Sequence, residues 1–163
     1  MIVEDFKKIL RELESGPIPG KHVYIWNGDR DSLLRIMERS LAEELDLSSA
    51  INVDVDENQS NGLAFSRAIE KALEKKLYEL YSEATQRGKQ QMLIVTSPSI
   101  LARYQIGLTA FYNYYIGDRT KVILVVPKSQ ALVGLGLPDY VRYQPEETMK
   151  YLSNVAQPEN IVE

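Results

Sequence analysis

Four carboxylates and one short glycine turn are the residues of this chain best equipped for chemistry. Asp29 and Asp31 flank Arg30 just after Gly28, and Asp54 and Asp56 lie in the stretch INVDVDEN. Acids at the carboxyl ends of neighbouring strands can hold Mg²⁺ through oxygen ligands, the basis of a nuclease or phosphatase. The segment Gly28-Asp29-Arg30-Asp31-Ser32 joins an apolar run to an amphipathic one. A glycine turn that feeds a helix N-terminus directs backbone N–H groups at an anion. Two carboxylates in that turn satisfy the same groups and repel a phosphate. A turn and helix cap with no ligand is therefore the simpler reading of these residues. Solvated loop acids are the simpler reading of Asp54 and Asp56, so no metal or other cofactor is expected.

His22 is the single histidine. No serine, cysteine or metal ligand stands at a spacing that would use it, and a structural role is expected. Lys128 follows an apolar strand, but Ser97 occupies the place where the preceding strand would need an acceptor Asp. Tyrosine is concentrated late in the chain, at Tyr104, Tyr112, Tyr114, Tyr115, Tyr140, Tyr143 and Tyr151. In one helix, Tyr112, Tyr114 and Tyr115 cannot all face inward. Exposed tyrosine suits binding hot spots and can stack on unpaired bases. With Arg103, Arg119, Lys121 and Arg142 nearby in sequence, a partner surface is one reading. Its residues would be Tyr104, Tyr112, Tyr114, Tyr115, Arg119, Tyr140, Arg142 and Tyr143; ordinary surface tyrosines are the other reading.

The elements that must position these groups follow from composition and periodicity. The chain has 163 residues, 44% hydrophobic and 26% charged, enough for one domain with a sizeable core. It holds no Cys, which excludes disulfides, thiol catalysis and cysteine metal sites and fits a cytoplasmic location. A net charge of −4 does not draw the chain to nucleic acid or anionic membrane. No apolar run approaches the ~20 residues of a membrane span.

Residues 3–14 read as an amphipathic helix ended by Gly16, Pro17 and Pro19. Residues 22–27 read as a strand buried on both faces. Asp29 or Asp31 is expected to cap a helix that carries Leu33, Leu34, Met37, Leu41 and Leu45 on one face. Residues 50–55 read as a second strand, 63–87 as the longest helix with i,i+4 Glu and Lys pairs, and 91–96 as a third strand. One helix is expected over 99–116, a fourth strand over 121–126, a short fifth strand over 140–144 and a last helix over 145–154. The tail after Gln157 is expected to be loose. Strands alternating with helices predict a three-layer α/β/α sandwich, with a mostly parallel sheet of four or five strands. The expected core covers about residues 20–155 of a single domain.

The order of elements resembles a minimal P-loop or AAA+ nucleoside-triphosphatase core over roughly residues 20–145. HVYIWNG (22–28) stands where the phosphate loop would start, QMLIVTS (91–97) where a strand would end in a magnesium-organising acid, and KVILVVP (121–127) where the sensor strand would lie. The loop lacks its Lys and second Gly, Ser97 replaces the acid, and the sensor strand ends in Val126-Pro127. Phosphate grip, metal and nucleophile positioning, the parts phosphoryl transfer needs, are all missing. The chain therefore reads as a degenerate, non-enzymatic version of the scaffold.

Two families are similar in this respect. The opening HVYIWNGDRDSLL is similar to that of clamp-loader delta-type subunits, which implies a DNA-associated assembly factor. The small proteins of bacteriophage exclusion (BREX) defence systems, of the BrxB and BrxF types, resemble the chain more broadly. The resemblance rests on length, on the early strand with its acidic turn, on LTAFYNYYIGDRTKVILVVP and on GLPDYVRYQ. It implies a non-catalytic accessory subunit of a phage-defence complex, with protein partners, an indirect association with DNA and no membrane contact.

Overall fold

The computed structural model describes residues 1–51, 63–128 and 145–163. Five strands, β1 (Val23–Trp26), β2 (Ala42–Asp46), β3 (Gln91–Thr96), β4 (Thr120–Val125) and β5 (Ile161–Val162), form one sheet in the order β2-β3-β4-β1-β5. Every pairing is parallel, and Val122 of β4 lies opposite both Val23 of β1 and Leu93 of β3. Parallel strands need crossovers, and helices α1 (Val3–Ser15), α2 (Arg30–Ile36), α3 (Leu47–Ala50), α4 (Leu63–Arg87), α5 (Ser99–Arg103), α6 (Thr109–Tyr114) and α7 (Pro145–Val155) cover both faces.

Successive strand residues point to opposite faces, which gives two apolar layers. Val23, Ile25, Leu93, Val95, Val122 and Leu124 pack against α4, α5, α6 and α7. Tyr24, Trp26, Met92, Ile94, Ile123 and Val125 pack against α1 and α2. The result is a three-layer α/β/α sandwich, and it explains why the central strands are apolar throughout. No helix among the described residues is long and apolar enough to cross a membrane.

Three elements differ from the sequence expectation. The helix expected to run to residue 45 ends at Ile36, and after a 3₁₀ turn at Arg39–Leu41 the chain becomes β2. Leu33, Met37, Leu41 and Leu45 recur every four residues, which mimics a helical stripe. They are buried here from three different elements instead. The strand expected over 50–55 lies outside the described residues except for Ala50 and Ile51, and the strand expected over 140–144 lies wholly outside them.

The helix expected over 99–116 is two helices. Gln105 between them takes a φ of 54°, which an α-helix cannot accommodate. The tail expected to be loose turns at Pro158–Asn160 and adds β5 to the edge of β1. There Val162 is buried, its carbonyl accepts from Asn27 N–H at 3.1 Å, and Glu163 N–H donates to the Met1 carbonyl.

Candidate functional site at the carboxyl edge of the sheet

In an open parallel sheet, ligands favour the point where neighbouring crossovers leave toward opposite faces. That point lies here between β1 and β4. The crossover after β1 runs through α2 on one face, and the crossover after β4 runs through α7 on the other. Asn27, Pro127, Lys128, Pro145, Glu146 and Met149 line a depression of about 400 Å³ at this edge. Lys128 is exposed beside it.

The turn after β1 is closed on itself. The Trp26 indole Nε1–H donates to the Asp29 carbonyl at 3.0 Å and to Ser32 Oγ at 3.3 Å. The Ser32 hydroxyl donates to the same Asp29 carbonyl at 2.7 Å. Gly28 fits this turn closely: a Cβ there would stand 3.0 Å from Trp26 Nε1, so the indole would have to give by a few tenths of an ångström. Asp29 is the residue before α2, but its carboxylate does not cap the helix, and Asp31 pairs with Arg30 at 3.3 Å instead. The expected carboxylate cap is therefore absent at this helix.

Arg30 turns away from the loop. Its guanidinium forks onto the Glu44 carboxylate of β2, with the Nη2 contact at 2.9 Å. That partner holds Glu44 below the usual carboxylate range. Both side chains remain nearly half exposed, so the pair adds little to stability.

A second polar group stands at the carboxyl ends of β2 and β3, where sequence reasoning placed none. Asp46 accepts from the backbone N–H of Ser48 at 3.1 Å and from the Ser48 hydroxyl. Burial pushes its carboxyl up, but hydrogen bonds from Ser97, Ser48 and Thr96 outweigh this and leave it below the ordinary value. Ser97 itself takes a φ of 58°, rare for a side-chain-bearing residue. The sequence signal is Asp46-Leu47-Ser48, a helix-cap pattern that a helix drawn to residue 45 conceals.

A hydroxyl is activated as a nucleophile by an adjacent base, a lowered pKa or a metal ion, and histidine is the usual base. His22 cannot serve. It precedes β1 at the opposite edge of the sheet, stacked at 6.0 Å on Tyr24. Four strand residues, about 13 Å, separate the two edges.

The tyrosine-rich region divides. Tyr115 is no partner residue. It is buried, its hydroxyl accepts from Gln91 Nε2 at 2.9 Å, and burial raises its pKa. Tyr104, Tyr112, Tyr114 and Tyr151 are half-buried against the core, with Tyr104 edge-on to Phe65 at 4.9 Å. Arg119 is exposed and donates to the Gly88 carbonyl.

Lys121 is also no surface cation. It is fully buried, and its ammonium donates to the carbonyls of Ile18, Gly20 and Gly117. Tyr140, Arg142, Tyr143, Asp54 and Asp56 lie outside the described residues. Among the described residues, no group of three or more His, Cys, Asp or Glu side chains could hold a metal ion.

Compared with known proteins, the chain matches no family model, no curated protein and no solved structure.

Proposed function

We propose that this protein is a non-catalytic accessory subunit that works through protein–protein contacts on a degenerate P-loop-like scaffold. The observation that carries the reading is the closed turn after β1. Its carbonyl, hydroxyl and indole groups bind one another, and its only cation is forked onto Glu44. A phosphate entering there would have to displace those bonds and sit beside Asp29 and Asp31. The partly buried Tyr112 and Tyr114 of α6, with Arg119 nearby in sequence, offer the contact surface. Tyrosine in such places contributes large area at low entropic cost. The setting we propose, on the sequence resemblance alone, is a phage-defence assembly of the bacteriophage-exclusion kind.

The test is affinity purification of the tagged protein from its own host, with mass spectrometry of what accompanies it. Stoichiometric recovery of defence components, reduced by Tyr114→Ala while the domain stays folded, is expected. Recovery of replication proteins would favour the clamp-loader-like reading instead. Recovery of the protein alone would overturn the accessory role.

A further inference from the structure

The outward face of α4 carries a row of like charges. Arg67, Lys71 and Lys75 follow one another at four-residue spacing and are all exposed. Each four-residue step turns about 40° around a helix axis, so the three stand on one stripe. Like charges at i,i+4 cost a helix stability. Among the described residues, no ion pair engages any of the three, and the one ion pair within α4 is Arg87–Glu83 at its far end.

Three residues beyond Lys75, and within the sector spanned by the row, comes Tyr78, 61% exposed, with Tyr81 on its flank, 46% exposed. Glu70 and Glu74 stand on one side of the row and Glu79 on the other, so the cations form a narrow track rather than a broad patch. From Arg67 to Tyr78 the track is about 17 Å long.

We propose that this face binds single-stranded nucleic acid, with Arg67, Lys71 and Lys75 on successive phosphates and Tyr78 and Tyr81 stacked on bases. Charge complementarity along a line and adjoining exposed aromatics are the two features such a platform needs. The acidic chain as a whole repels polyanions, which explains why net charge concealed the track. The inference goes beyond the accessory role and uses none of the residues assigned to it.

The experiment is fluorescence anisotropy of a labelled oligothymidylate titrated with the full chain at low and moderate salt. Three phosphate contacts predict a log–log salt slope of about −2. Lys71→Glu with Lys75→Glu should abolish binding, and Tyr78→Ala should weaken it about tenfold, both at unchanged helix content by circular dichroism. No binding at low salt overturns the proposal. So does binding that Tyr78→Ala leaves intact and polyglutamate competes away, which would assign the face to an acidic protein segment.

Discussion

The Trp26 indole Nε1 lies 3.0 Å from the Asp29 carbonyl oxygen and bridges the turn at the end of β1. The side chain that fills this turn comes from the last residue of the strand. Its ring is buried on the α1 face, 6.1 Å from Phe6, with its N–H directed into the turn. Packing of the core and closure of the loop are thus one event.

Trp26→Phe separates the two. It keeps most of the ring in the core and removes the donor, while Ser32 and the Leu33 N–H still serve the Asp29 carbonyl. We expect a loss of about 1 kcal/mol in urea denaturation. ATP with Mg²⁺ should not raise the melting temperature of either form. A nucleotide-dependent rise in the native protein would contradict the closed-turn account.

Gly28→Ala places a methyl group 3.0 Å from Trp26 Nε1, tight enough that the indole must give by a few tenths of an ångström. Trp26 is the only tryptophan, so its fluorescence reports the displacement directly. A shifted emission maximum is expected, with a loss of about 1 kcal/mol or more. An unchanged spectrum would mean that the turn relaxes instead.

Two cations of this fold differ sharply in what their removal should cost. The Arg30–Glu44 fork is nearly half exposed at both ends, so a double-mutant cycle should return about 0.5 kcal/mol or less. Lys121 is fully buried, and its three carbonyl contacts tie the 16–20 loop to the start of β4. Lys121→Met leaves those carbonyls without their shared donor and should cost about 3 kcal/mol. Equal costs at the two sites would refute the assignment of one to the surface and the other to the core.

Much of this architecture was legible in the sequence because the central strands are buried on both faces. The runs VYIW, QMLIVT and KVILVV are apolar whatever the helices do, and α4 keeps one stripe over 25 residues. Edge elements carry no such signal. β2 reads AEELD, with one buried side chain and two glutamates held by arginines from elsewhere, and β5 is two residues long. Their identity is set by pairing with a neighbour, which periodicity cannot register.

The site divides in the same way. The lack of a phosphate-gripping lysine at Gly28–Ser32 is written in the residues. The closure of that turn by Trp26, the burial of Lys121 and the meeting of Asp46 with Ser97 are tertiary facts.

Alkaline pH offers a test of burial at one named group. Burial, helped by the Glu12 carboxylate, pushes the Tyr24 phenol up to about 12, against about 10 when unfolded. Between those values the folded chain holds a proton that the unfolded chain has lost, so stability falls as pH rises. The contribution is fully present below pH ~10 and gone above pH ~12. Lys121 acts with the opposite sign. Burial lowers its pKa, so the unfolded chain is the more protonated below pH ~10.4, and stability rises with pH across that window. Tyr24→Phe removes only Tyr24's share of the falling component, leaving that of Tyr112, Tyr115 and Tyr151 in both proteins. Relative to pH 8, the variant should retain about 1 kcal/mol more of its stability at pH 11 than the native protein, read by urea denaturation at each pH. If the two pH profiles run parallel, Tyr24 titrates as an open phenol, and the packing of β1 against α1 is looser than its burial indicates.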